Sequence, residues 1–262
     1  MRTALTIAGS DSGAGAGIQA DLKTFAAFGV YGTSAITAIT AQNTRGVTAW
    51  EAVSVPLVVA QIEAVATDIG ADAVKTGMLA NAAIVSAVAA TIRRLGLRHL
   101  VVDPVMIAKG GDRLLEESAI QAIRRDLLPL AEVVTPNIPE AQELSGLPIA
   151  TLEEMRSAGR RILSLGPRVV LVKGGHLGGK DSIDLALSAE GEEEFRSPRI
   201  DSVHTHGTGC TLASAIAACL AQGLTVNASI AAAKAYLDGA IAHAPRIGGG
   251  HGPLGHFWRG YT

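Results

Sequence analysis

Apolar positions along this chain follow two alternating patterns. Short continuous runs rich in Val, Ile, Ala and Leu cover residues 4–8, 33–41, 73–76, 99–103, 133–135 and 169–173, and they read as strands. Between them, longer stretches repeat their apolar residues at helical spacing over residues 18–28, 57–69, 82–94 and near 118–128, with short and long helices following through Leu165. A strand covered by helices on both faces loses its apolar/polar alternation, so the unbroken runs predict parallel strands inside the molecule. The βα alternation predicts an α/β fold: a three-layer α/β/α sandwich on a mostly parallel central sheet. Ligands are expected at the carboxyl ends of the strands, where such sheets leave a crevice.

Local signals refine this pattern. Thr151 and Glu154 have capping-box spacing, which predicts a helix start there and an end near Gly166. Residues 180–200 break the alternation: Glu190-Gly191-Glu192-Glu193-Glu194 predicts a solvated turn between two short strands, an antiparallel edge to the sheet. Two more helices, at 208–222 and 226–243, precede a Gly/His-rich tail at 248–256. No linker or repeat of about 20–50 residues divides the chain, which predicts one domain over residues 1–262.

Composition narrows the partners. Hydrophobic residues make up 48% of the chain, enough for an extensive core. The 22 basic and 24 acidic residues form no basic block able to neutralise a run of phosphates, so nucleic acid is not an expected partner. No signal-peptide core and no apolar span of about 20 residues stands out, which predicts a cytoplasmic protein with no membrane partner. Cys210 and Cys219 fall on one predicted helix, about 13 Å apart at 1.5 Å per residue, too far for a disulfide. Small molecules become the expected substrates.

Two segments carry candidate chemistry. The first runs from Gly9 through Asp21 after the first strand, and its Gly15-x-Gly17-x-x-Ala20 matches a loose dinucleotide fingerprint. That fingerprint expects an acid about 20 positions further on; Gln42 and Asn43 stand at the end of the second strand instead. No Gly-x-x-x-x-Gly-Lys-Ser/Thr cradle occurs. The second segment, His206-Gly207-Thr208-Gly209-Cys210, opens a long apolar helix, where free N–H groups and the helix dipole attract an anion. The same dipole predicts a thiol at Cys210 below its ordinary pKa of about 8.5, a base beside a phosphate site. Packing alone is the competing explanation, and it suits Cys219 better. His204, His206 and Cys210 match no common zinc spacing.

Ordered along the chain, these segments are joined by Gln42-Asn43-Thr44-Arg45-Gly46, Lys75-Thr76-Gly77-Met78, Asp103-Pro104-Val105-Met106, Asn137-Ile138-Pro139-Glu140 and Lys173-Gly174-Gly175-His176. Together, and over nearly the whole length, they resemble the bacterial hydroxymethylpyrimidine/phosphomethylpyrimidine kinases of thiamine biosynthesis. The resemblance implies a ribokinase-like fold, ATP with Mg²⁺, and a homodimer. It also implies two successive phosphoryl transfers, first to 4-amino-5-hydroxymethyl-2-methylpyrimidine and then to its monophosphate. Cys210 stands where most of that superfamily carries an aspartate base, as it does in some pyridoxal kinases. A pyridoxal kinase is therefore the nearest alternative, and a non-catalytic pyrimidine-binding protein a more distant one.

The resemblance assigns roles by position. Cys210 is the implied base, with Gly207, Thr208 and Gly209 cradling the transferred phosphoryl group. Gln42, Gly9, Asp21, Met78 and Val105 form the implied pyrimidine pocket. Lys173 and Asn137 are implied at the nucleotide, and Asp103 and Glu140 at the metal, partly through water. Chemistry agrees for Gln42, whose carboxamide offers an acceptor beside donors and can pair with a ring nitrogen and its neighbouring amine. For Asn137 and Glu140, a helix cap with a first-turn acid explains the same spacing.

Overall fold

The computed structural model describes residues 1–106 and 116–260. Its strands are β1 (Thr3–Asp11), β2 (Tyr31–Asn43), β3 (Gly46–Ala52), β4 (Ala73–Thr76), β5 (Leu100–Val102), β6 (Val133–Val134), β7 (Val169–Lys173), β8 (Asp181–Ser188) and β9 (Gly191–Pro198). They form one sheet in the order β3-β2-β1-β4-β5-β6-β7-β8-β9. From β2 to β7 every pairing is parallel; β3, β8 and β9 add antiparallel edges. The helices are α1 (Gly17–Ala27), α2 (Val55–Asp68), α3 (Ala82–Leu95), α4 (Glu117–Ala122), α5 (Ile138–Ser145), α6 (Leu152–Leu163), α7 (Thr208–Ala221) and α8 (Val226–Ala242).

The unbroken apolar runs resolve into two interleaved faces. Leu5, Ile7, Val74, Leu100, Val102, Val134, Val170 and Val172 pack into a core with α2 to α6. Their neighbours Ala4, Ala73, Val101, Val133, Val169 and Leu171 face α1, α7 and α8. Because successive side chains point to opposite faces, helices on both sides require apolar residues at every position. The α/β/α sandwich is as the pattern predicts. Helix α7 is apolar all round, and Thr211 through Ala221 are all buried. Such a helix is enclosed by neighbours, which fixes its amino end at the carboxyl edge of the sheet.

Three elements differ from the sequence reading. Strand β3 carries no apolar run, because most of its side chains are exposed; it is recruited by pairing with β2 across a turn at Thr44 and Arg45. Glu192, Glu193 and Glu194 lie in β9 rather than in a turn, paired with Leu187, Ala186 and Leu185. An edge strand with one wet face accepts charges, and Arg156 of α6 meets Glu192 at 2.6 Å and Glu194 at 3.3 Å. The helix expected near 118–128 is α-helical only to Ala122, then widens to a π turn at Ile123–Leu127 and tightens to a 3₁₀ turn at Leu128–Leu130, which holds Pro129. The Thr151/Glu154 capping box forms as expected. Among the described residues, no helix is long and apolar enough to cross a membrane.

Candidate active site

A cavity of about 680 Å³ opens at the carboxyl edge of the sheet. Gly9, Gln42, Met78, Val105, Asp103, Asn137, Glu140, Lys173, Gly207, Thr208, Gly209 and Cys210 all line it, so tertiary folding brings together every implied site residue except Asp21. Register shifts in the sheet at Ala8/Ser10 and at Ala41/Gln42 place irregularities beside Gly9 and at Gln42. Bulges of this kind re-aim side chains next to sites. Gly9 is closely approached, since a Cβ there would stand 3.2 Å from Met78 Sδ and Met78 would have to shift by a few tenths of an ångström.

Asp21 is a correction. Its side chain is fully buried, and its carboxylate meets Lys75 Nζ at 2.9 and 2.8 Å. Thr6 Oγ1 and Ser214 Oγ donate to the same carboxylate, each at 2.6 Å. With its acceptor positions occupied, Asp21 holds Lys75 rather than a ring. Lys75 itself lines the cavity. Burial opposes its charge, but Asp21, with Cys210 and Asp103 behind it, outweighs burial and raises its pKa.

The amino end of α7 forms the opposite wall. Gly207 caps it with φ +83°, a left-handed conformation suited to glycine, and a Cβ there would overlap the Gly15 carbonyl. At Gly209, a Cβ would lie 3.1 Å from Lys173 Nζ and 3.4 Å from Asp103 Oδ2. Cys210 follows, partly exposed. The lowered thiol pKa expected there is overturned: burial, with Asp21 and Asp103 nearby, pushes the thiol up to about 11 despite Lys75 and the Gly17 amide. Loss of water is the largest influence on this thiol. Cys219 is buried, as expected.

Lys173 Nζ meets Asp103 Oδ1 at 3.0 Å, and Thr135 Oγ1 donates to the same oxygen at 3.2 Å. Asn137 and Glu140 form a capping box at the start of α5: Asn137 Oδ1 accepts from the Glu140 amide at 2.9 Å and Glu140 Oε2 from the Asn137 amide at 2.8 Å. The cap and the site are therefore one structure. Glu140 is buried, and burial, with Asp103 beside it, pushes its pKa up to about 7 although Lys173 and the Asn137 and Met106 amides oppose this. Lys173 pairs directly with Asp103, and its charge acts on Glu140 at longer range. The hard oxygens of the two acids, with a Glu140 proton that a cation would displace, fit a small divalent cation.

Three residues at the cavity receive no role from sequence reasoning. Lys75 stands in the ordered Lys75-Thr76-Gly77-Met78 motif, but no role is assigned to it there. Asp11 ends β1 and receives the Gly13, Gly15 and Ala16 amides at 2.8, 3.0 and 2.8 Å, which shapes the glycine-rich turn. His206 Nε2 lies 2.9 Å from Asp11 Oδ2 and 3.3 Å from Gln42 Nε2. The cavity also extends between β8, β9 and α8, along Ser182, Arg199, Leu237 and Ile241, past a Lys234–Asp184 ion pair of 2.7 Å. No motif marked that half.

Residues 11–255 match a family model described as phosphomethylpyrimidine kinase. The chain is 53% identical to the hydroxymethylpyrimidine/phosphomethylpyrimidine kinase of Rhizobium meliloti, over 98% of this chain and 97% of that one. It is also 53% identical to the thiamine biosynthesis bifunctional protein of Geobacter sulfurreducens over 96% of this chain, but spans 51% of that longer protein. An ADP complex of Bacillus subtilis pyridoxal kinase superposes with a TM-score of 0.91 at 39% identity, covering 98% of this chain and 97% of that one.

Proposed function

The chain belongs to the phosphomethylpyrimidine kinase family, and on that premise we propose that it uses ATP and Mg²⁺ to phosphorylate hydroxymethylpyrimidine and then its monophosphate. One observation carries the reading. A single cavity sets Cys210 and the α7 amides against both the Gln42 pocket and the Asp103–Glu140–Lys173 cluster. Identity favours the pyrimidine over pyridoxal: 53% to the Rhizobium enzyme against 39% to the pyridoxal kinase structure.

Phosphoryl transfer needs alignment and charge neutralisation more than covalent help. Gln42 pairs with the ring, while Met78 and Val105 give it apolar walls. The Thr208, Gly209 and Cys210 amides face the transferred phosphoryl group. Lys173 offsets negative charge, and the extension along β8, β9 and α8 receives the rest of the nucleotide. Asp103 and Glu140, with Asn137 beside them, would hold Mg²⁺ partly through water, and the ion supplies further charge neutralisation at the phosphates. Cys210 accepts the proton of the attacked hydroxyl. Burial raises the pKa of the thiol, so the thiol first releases its proton to water in the cavity; the cationic Lys75 stabilises the resulting thiolate, which then takes the hydroxyl proton as the phosphoryl group is transferred.

The homodimer and the cytoplasmic location belong to the same proposal. Ile39 and Trp50 are 59% and 46% exposed on opposite faces of the outer β2–β3 pair, apolar side chains that packing of a second copy along this edge would cover. The test of function is ADP release with the free pyrimidine, its monophosphate and pyridoxal. Both pyrimidines should turn over with kcat/KM well above that for pyridoxal. Preference for pyridoxal would overturn the substrate, and tight pyrimidine binding without ADP release would overturn the enzyme.

A further inference from the structure

Gln42 is flanked by two side chains whose protons decide which way its carboxamide faces. One end of the carboxamide lies 3.1 Å from Thr40 Oγ1 and the other 3.3 Å from His206 Nε2. That same Nε2 lies 2.9 Å from Asp11 Oδ2. Burial opposes ionisation of Asp11, but His206 and the Ala16 and Gly13 amides prevail and hold its carboxyl below the ordinary range. An ionised carboxylate only accepts, so His206 Nε2 carries a proton. Thr40 has one hydroxyl proton, which Ser10 O accepts at 2.9 Å.

With the carboxamide nitrogen toward His206, two N–H donors would meet at 3.3 Å. The single Thr40 proton would also have to serve Ser10 O and Gln42 Oε1 at once. A half-turn of the carboxamide removes both conflicts. Its nitrogen then donates to Thr40 Oγ1, and its oxygen accepts from the His206 N–H that Asp11 shares.

We propose that Asp11 and His206 are a positioning pair that fixes this orientation of Gln42, and with it the order in which the pocket offers a donor and an acceptor to the substrate ring. The proposal rests on the pyrimidine reading above. Thr40 and His206 engage the outer N–H and outer lone pair of the amide. The remaining N–H and lone pair lie side by side, toward the cavity. They match a ring nitrogen next to an exocyclic amine in one order only. A ring lacking that amine leaves a buried polar group unpaired, which is how hydrogen-bonding sites reject close analogues. Asp11 is itself held by three amides of the turn before α1, and a Cβ at Gly15 would strike the His206 ring. The glycine-rich turn therefore supports the ring reader.

Two measurements test this. In the free protein, the Gln42 side-chain amide protons, identified by their loss in Gln42→Leu, should show NOEs to the Thr40 methyl group rather than to the His206 ring. The reverse pattern overturns the proposal whatever the substrate is. In kinetics, His206→Phe removes the N–H and keeps a ring. It should raise KM for the aminopyrimidine about tenfold while kcat changes less than about threefold. Preference over the 4-deamino analogue should collapse, and adding Gln42→Leu should cause no further loss. His206→Gln, which retains an N–H, should recover part of the preference. Equal losses with both rings, or additive losses in the double variant, would show His206 acting on its own and overturn the proposal. A wild-type enzyme that releases no ADP with either pyrimidine defeats the functional reading instead, and the NOE pattern still decides the orientation.

Discussion

Two of the lysine–aspartate pairs at the carboxyl edge of the sheet differ in how many acids surround the lysine. Lys75 and Asp21 are 2.8 Å apart with no exposed side-chain surface, and the Thr6 and Ser214 hydroxyls complete the carboxylate. Lys173 and Asp103 are 3.0 Å apart, Lys173 keeps 14% of its side chain exposed, and Glu140 adds a second acid near the same lysine. One acid per lysine makes a finished, neutral unit. A second acid near the same lysine, its pKa pushed up to about 7, holds a proton that a cation in the cavity would displace, which leaves a negative charge to meet it. On the proposed function, the same residue types serve as support in one place and as a binding site in the other. Cys210 senses both: Lys75 favours its thiolate, while burial, Asp21 and Asp103 oppose it.

The largest effect should come from removing the residue that senses both pairs. Cys210→Ala should lower kcat by about 10²–10⁴-fold, the usual contribution of a positioned base, with ADP and pyrimidine binding retained by calorimetry. A kcat close to wild type would make the thiol packing, and the α7 amides and metal sufficient. Next, Asp21→Asn leaves Lys75 charged, buried and unpaired, which should cost about 3–5 kcal/mol in urea unfolding. Asp21→Leu with Lys75→Met should restore most of that stability, because replacing a whole buried pair by apolar groups is often neutral. Activity should stay low, since Cys210 has lost its cation. Wild-type stability in Asp21→Asn would show that the sealed pair is not a charge-balanced unit.

Glu140→Gln should give the smallest effect and sharpen the other half of the comparison. Glu140 titrates near 7 in the folded protein and near its ordinary 4.5 when unfolded. Between those values the folded state holds a proton that the unfolded chain has released. Stability therefore falls as pH rises through this window, by roughly 3 kcal/mol at most, and the loss is complete above it. Glu140→Gln should flatten that slope in unfolding measured at pH 5 and pH 8. It should also raise the magnesium concentration for half-maximal ADP release. An unchanged slope and a superimposable magnesium titration would reduce Glu140 to its role in the cap of α5.

Much of the fold was legible because its signals are local. The β4 and β7 runs, the Thr151/Glu154 cap and the start of α7 at Thr208 each depend on residues within a turn or a strand of one another. Strand β3 was not legible, because its exposed side chains carry no period and only pairing with β2 defines it. At the site, the ordered motifs pointed to Gln42, Asp103, Asn137, Glu140, Lys173 and Cys210, all of which line the cavity. Asp21 was legible as a site residue and misplaced within it, since its partners Lys75 and Ser214 lie far along the chain.

Residue order by itself determined the alternation of strands and helices, the caps, and the glycines that leave room at the amino end of α7. Tertiary structure alone decided the charge states. The pairs that set them join residues 54, 70 and 195 positions apart, Lys75 with Asp21, Lys173 with Asp103 and His206 with Asp11. Periodicity and capping depend on neighbours in the chain, whereas the pKa of Cys210 or Glu140 depends on how much water and which charges the packed molecule leaves around it. A helix dipole can be read from a sequence. The burial that most raises the pKa of Cys210 exists only once α7 has docked on the sheet.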